Sequence, residues 1–285
     1  MTATTALVPD RAPAGDASVT FARVLRSEWL KLWSLRSTWW GVALTVLLMA
    51  GLAVLMAATL GSATTSPELQ ETMSADPRLA VPTGAVAVTF GYGFAQLTVA
   101  VLAVLTITGE HSTGMIRATF AAVPCRLPVL WAKLAVVAAT TVLLAVVGLA
   151  AAWLATASSL SADGLSLDFS DGEHLRALGG AVAYLVAVAA LSLGIGALWR
   201  STAAGIATTL ALLMVLPLLF QGLAGSAAWA QDVYAYLPTV AGERLVATGP
   251  TPDGLLSPGI GFAVLAGYAA LVLAAAAVAV RRRDA

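Results

Sequence analysis

Few side chains in this sequence carry a charge, and those that do are crowded into short gaps between apolar runs. Glu110, Arg117 and Arg126 lie within one such gap, Gly109–Leu134, which reads GEHSTGMIRATFAAVPCRLPVLWAKL. Glu28 and Lys31 lie in another, Thr20–Ser37, which reads TFARVLRSEWLKLWSLRS. The chemistry open to these residues is ion pairing and contact with another polar surface. Tyr92, Gln96 and Gln221 are polar side chains inside apolar runs. They suit hydrogen bonding, either between helices or along a path through them.

Catalytic constellations are hard to assemble from what remains. The two histidines, His111 and His174, fall in gaps expected on opposite sides of a membrane, and no H-E-x-x-H pattern occurs. Cys125 is the only cysteine, so it has no disulfide partner within the chain, and as a nucleophile or metal ligand it lacks companions. Ser192 has no base in its surroundings. The sequence contains no G-x-x-x-x-G-K-[ST] pattern and no Gly-Lys dipeptide, so it offers no cradle for the phosphates of ATP. No catalytic residue, metal site or cofactor is expected in this chain.

The elements that must position the charged residues are long and apolar. Six stretches lack Asp, Glu, Lys and Arg altogether: Ser37–Pro67, Leu79–Gly109, Leu134–Ala162, Ala177–Trp199, Ser201–Gln231 and Gly254–Val280. About 20 apolar residues suffice to cross a bilayer as a helix, and helices satisfy their own backbone there. The composition agrees, with 59% hydrophobic and 11% charged residues and a mean hydropathy of +0.89. The expected fold is therefore an all-α membrane protein with six transmembrane helices, at about residues 39–60, 86–108, 129–156, 178–198, 203–223 and 260–280. No span holds an ionisable residue at its centre, which disfavours a carrier driven by protons or sodium.

Lys and Arg placement sets the expected orientation. With the N-terminus in the cytoplasm, the inner segments hold twelve basic residues and the outer ones three, Arg78, Arg176 and Arg244. Both termini are then cytoplasmic in a multi-pass protein of the cell membrane. Residues 1–19, rich in Ala, Thr, Pro and Asp, read as a disordered tail. The first apolar run starts too late and is too long for a cleavable signal peptide.

Within Thr20–Ser37, Phe21, Val24, Leu25, Trp29, Leu32, Trp33 and Leu35 share one face at 100° per residue. Arg23, Arg26, Ser27, Lys31 and Ser34 share the other. That pattern describes an amphipathic interfacial helix over residues 20–37. Glu28 falls in the middle of the apolar face, where an unpaired carboxylate is costly. It calls for a cation, either Lys31 or an arginine on another cytoplasmic loop. In the second gap, Ser112, Thr113 and Gly114 break the helix, Met115–Ala122 can form a short one, and Pro128 opens the next span.

The run Ser27-Glu28-Trp29-Leu30-Lys31-Leu32, followed by Leu35-Arg36-Ser37-Thr38-Trp39-Trp40, resembles the N-terminal helix of the permease subunits of ABC transporters. Gly109-Glu110 with Thr113-Gly114-Met115-Ile116-Arg117, then Pro124, Arg126 and Lys133, is similar to the coupling-helix region of their type-2 exporter class. The resemblance runs from about Thr20 to the end, residues 20–285. It implies a permease without its own ATPase site, paired as a homo- or heterodimer with a second permease. A separate P-loop ATPase subunit binds the ATP and docks on the cytoplasmic loop, with Glu110, Arg117 and Arg126 at the contact. It implies that Tyr92, Gln96 and Gln221 line the translocation path. It also implies that Ala224–Pro258 folds back as a re-entrant external segment. No charged ring lies along the path, so an amphiphilic or hydrophobic cargo is expected, and no nucleic acid partner. A non-transporting membrane scaffold is the alternative that six apolar helices leave open.

Overall fold

In the computed structural model, residues 20–66, 83–115, 126–224 and 227–282 are described. The tail 1–19 and the stretch holding Arg117, Pro124 and Cys125 lie outside them. The described residues form helices and no strand. We label them α1 (Phe21–Ser34), α2 (Arg36–Thr65), α3 (Gly84–Thr89), α4 (Tyr92–Ser112), α5 (Arg126–Ala162), α6 (Gly172–Trp199), α7 (Thr202–Leu210), α8 (Leu216–Ala224), α9 (Ala228–Ala235), α10 (Pro238–Glu243) and α11 (Pro258–Arg282). Six helical stretches are long and apolar enough to cross a membrane: Arg36–Ala63, Gly84–Ser112, Leu127–Ala162, Gly172–Trp199, Thr202–Ala224 and Pro258–Arg282. The chain is a multi-pass membrane protein.

Each expected span is present, and most run further than the uncharged core. The third continues to Ala162, since no breaker interrupts the Ser-rich turn before Gly164, whose φ is 73°. α6 starts at Gly172 because the Asp171 carboxylate caps its first turn through the Glu173 amide, at 2.8 Å. Two spans are interrupted. The second is divided into α3 and α4 by a turn at Phe90–Gly91, where a side chain at Gly91 would run into the backbone of Met49 on α2. The fifth opens into a π-helical turn, Ala211–Val215. Pro217 follows at once, and its missing amide already breaks the hydrogen-bond ladder there.

α6 is the hub. Its apolar window is 72% buried, against 17% for the fifth span and 22% for the sixth. Tyr184, Leu185, Val188 and Leu191 of α6 pack with Met49, Val88, Leu149 and Leu265 from four other helices. The fifth and sixth spans keep broad apolar faces outward, among them Leu218, Leu219 and Leu271. Between them, α9 and α10 form two short helices, and α10 is almost wholly buried. It fits against α6 and α11 because Gly242 has no side chain: a Cβ there would lie 2.5 Å from Leu265 and 2.9 Å from Tyr184.

α1 stands beside the third span. Its apolar face is divided in two. Val24, Glu28 and Leu32 are buried, with Val24 against Val129 and Ala132 of α5. Phe21, Trp29 and Leu35 remain exposed. Thr20 caps the helix, and Thr38 Oγ1 donates to the Leu32 carbonyl at 2.6 Å, which fixes the corner into α2.

Candidate functional site

Four charged side chains from three helices meet where α1, α4 and α5 converge. Lys31 Nζ lies 2.7 Å from Glu28 Oε1 and 2.9 Å from Glu110 Oε1. Lys133 Nζ lies 2.6 Å from Glu28 Oε2 and 2.8 Å from Glu110 Oε1. The charges alternate around a closed ring and sum to zero. Lys133 also donates to the Thr106 carbonyl at 3.3 Å. Its side chain is 2% exposed, as is that of Glu28, and Glu110 is 6% exposed. Lys31 closes the ring toward water. Burial pulls its ammonium pKa down, but hydrogen bonds to Glu28 and Glu110 more than offset this, and the net direction is up.

A buried charge without a partner costs several kcal/mol, and a buried pair roughly breaks even against apolar packing. The ring therefore adds little net stability, but it penalises any arrangement that separates its members. It ties α1 to the last turn of α4 and the first turns of α5. Those are the two ends of the segment 116–125. A cavity of about 380 Å³ adjoins the ring, walled in part by Leu105 and Met115. Glu110 Oε2 is buried and has no hydrogen-bond partner among the described residues.

The sequence placed Glu110 at a docking surface. In the folded chain its carboxylate is a member of the ring. Arg117 lies outside the described residues, and Arg126 is described only as the start of α5. Among the described residues Glu28 meets two lysines and no arginine. Lys133 is the member that sequence reasoning left out. A signal was present: a lysine among Leu130, Ala132 and Leu134 needs a carboxylate, and Glu28 and Glu110 are the acids expected beside it on that side of the membrane.

A second polar group stands at the other end of the second span. Tyr92 and Glu110 are separated by about 27 Å at the helical rise of 1.5 Å per residue. The Tyr184 hydroxyl, fully buried, donates to Gln96 Oε1, and Gln96 Nε2 donates to the Gly93 carbonyl at 2.7 Å. Tyr92 meets Tyr184 edge to face, with centroids 5.2 Å apart. Gln96 thus links α4 to α6. Gln221 is exposed on α8 and takes no part in this group.

Tyr92 and Gln96 also line a cavity of about 360 Å³ with Phe90, Phe94, Glu243 and Thr248. Its far wall is held by Arg176 of α6. The Arg176 guanidinium donates to the carbonyls of Leu245 and Ala247, both at 2.9 Å, and pairs with Glu173 at 3.2 Å. Glu243 is half-buried on that wall. Burial away from water raises its carboxyl pKa from the ordinary range to about 7, against the opposing pull of Arg244.

Among the described residues no three His, Cys, Asp or Glu side chains converge as a metal site. No family model matches this chain, and no curated protein does so either.

Proposed function

We propose that this chain is the membrane-spanning permease subunit of an ATP-driven ABC exporter of the type-2 class. It works with a separate P-loop ATPase and with a second permease, identical or related. The observation that carries the proposal is the ring Glu28–Lys31–Glu110–Lys133. Force applied to the segment 116–125 is delivered to a rigid base, because the helices on either side of it are locked to α1 and to each other. α1 lies in the cytoplasmic interface, with Trp29 and Phe21 toward the headgroups. α9 and α10 are the re-entrant segment that closes the outer end. Broad apolar faces on the fifth and sixth spans leave surface for lipid and for the second permease.

Docking is assigned to Arg117 and Arg126, with Glu110 held in the ring. Arginine is well suited to carboxylates on a partner surface. The test is co-purification of the affinity-tagged chain with P-loop ATPases from its own cells. The wild type should retain one such subunit, and Arg117→Ala with Arg126→Ala should lose it while the permease elutes as a folded species. Retention of the ATPase by the double variant would contradict the docking surface. Absence of any ATPase from the wild-type complex would favour a membrane scaffold.

A further inference from the structure

The pocket at the far end of the second span has a composition that the permease reading leaves unused. Its walls bring together one carboxylate, Glu243, and three aromatic rings, Phe90, Tyr92 and Phe94. Within 4 Å the Glu243 carboxylate has no cationic partner among the described residues, and it accepts no side-chain or backbone hydrogen bond there. Of the two cations nearest to it, Arg176 is committed elsewhere, and Arg244 pulls on it only from beyond ion-pair distance. Arg176 is spent on Glu173 and on the carbonyls behind the wall. Arg244, the next residue, does not line the cavity. Gln96 is engaged through both ends of its amide.

An unpaired carboxylate in a partly dry pocket is expensive unless a cation meets it. Aromatic faces attract the same charge through their quadrupoles, more strongly where water is excluded. Phe90 is 37% exposed and Phe94 47%, so both rings stand at the mouth. A ligand whose charged head reaches Glu243 would leave its apolar part against these two rings. The cavity volume, about 360 Å³, is within the usual range for small-molecule sites.

We infer that this pocket binds an organic cation, an ammonium head carrying an apolar tail, and that amphiphilic amines are the cargo class of the exporter. The cargo assignment rests on the permease reading. The preference of the pocket for a cation stands without it.

The probe is benzyltrimethylammonium, whose charge does not titrate, compared with neopentylbenzene, its uncharged isostere. Binding is measured by equilibrium dialysis of the purified chain in lipid nanodiscs. The wild type should prefer the cation. Glu243→Gln should weaken cation binding about tenfold or more, as loss of a charged partner in a desolvated site does, and leave neopentylbenzene binding unchanged. Phe94→Ala should weaken both ligands, and Glu243→Asp should restore part of the preference. Cation binding should rise with pH through about 7 as the Glu243 carboxyl ionises, and Glu243→Gln should abolish that rise. The other groups around Glu243 are Arg244, Arg176, Tyr92, Tyr184 and Tyr234. At their ordinary values arginines and tyrosines titrate well above 7. Equal affinity of the wild type and Glu243→Gln for the cation, in a variant that still binds neopentylbenzene, would overturn the inference. Cation binding without ATP-driven uptake of the probe into inside-out vesicles would keep the pocket and reject the cargo class. ATP-driven export of other compounds with no binding of the cation would do the reverse: the permease reading would stand and the inference would fall.

Discussion

The two ends of the second span treat buried charge in opposite ways. At Glu110 two carboxylates and two ammonium groups alternate within 2.6–2.9 Å of one another. At the Tyr92 end, Glu243 faces a cavity with no such partner among the described residues. The first arrangement is complete in itself and resists separation, which suits a joint. The second is incomplete, which suits a receptor. α4 contributes Glu110 to the first and Tyr92, Phe94 and Gln96 to the second.

The largest effect is expected from breaking the joint. Lys133→Ala leaves Glu28 and Glu110 sharing Lys31 alone, and loss of a buried partner costs about 3–5 kcal/mol. The loss should appear as a sharply lower thermal midpoint in detergent. Lys31→Ala, at the exposed side of the ring, should cost clearly less. Equal effects at the two lysines would mean that the ring is no more buried at one than at the other.

At the opposite end, Arg176→Met removes a guanidinium that holds two carbonyls and Glu173. Charged hydrogen bonds contribute about 1.5–3 kcal/mol each, so destabilisation of about that size is expected, with the wall around Glu243 loosened. Cysteine accessibility at position 246 or 247 should rise in this variant and stay unchanged in Lys133→Ala. A rise in both would show that the two ends do not fold independently.

Tyr184→Phe removes the hydroxyl that donates to Gln96 and should cost about 1 kcal/mol. The edge-to-face contact with Tyr92 survives that change, so the pocket should keep its affinity for benzyltrimethylammonium within a factor of about three, the spread usual for such small perturbations.

A further effect is one of pH. The Glu243 carboxyl is raised in the folded chain to about 7, so the fold favours its neutral form. Stability is then fullest below the ordinary carboxylate range and declines as pH rises through 7. The thermal midpoint should fall between pH 5 and pH 8, and Glu243→Gln should flatten this dependence. A saturating organic cation should reverse it in the wild type, since it binds the ionised form.

Much of the scaffold was legible because apolar length is a direct physical requirement of a bilayer. The six uncharged stretches mark the six membrane-length spans. Their ends were not legible, since helices continue until a cap or breaker stops them, as at Asp171 or Gly164. Glu28 was recognisable as a residue in need of a partner because a carboxylate on an apolar face has no other explanation. Its main partner, Lys133, was not identified. The pairing spans residues far apart in sequence, and periodicity within one helix carries no such information. Gln96 and Gln221 looked alike in sequence, yet one is buried between α4 and α6 and the other is exposed. Which face of an apolar helix is turned inward depends on its neighbours. Glu243 falls in the segment expected to be re-entrant, and its pocket exists only once α10, packed on α6 and α11, brings it to the cavity lined by Phe90, Tyr92 and Phe94.

The most direct test of the proposed function is ATP hydrolysis in liposomes. The P-loop ATPase recovered with this chain would be assayed alone, with the wild-type permease, and with Arg117→Ala and Arg126→Ala together. Hydrolysis should rise on addition of the wild type and remain at the level of the ATPase alone with the double variant, whose thermal midpoint should match the wild type. The same hydrolysis rate in all three preparations would contradict a coupled permease.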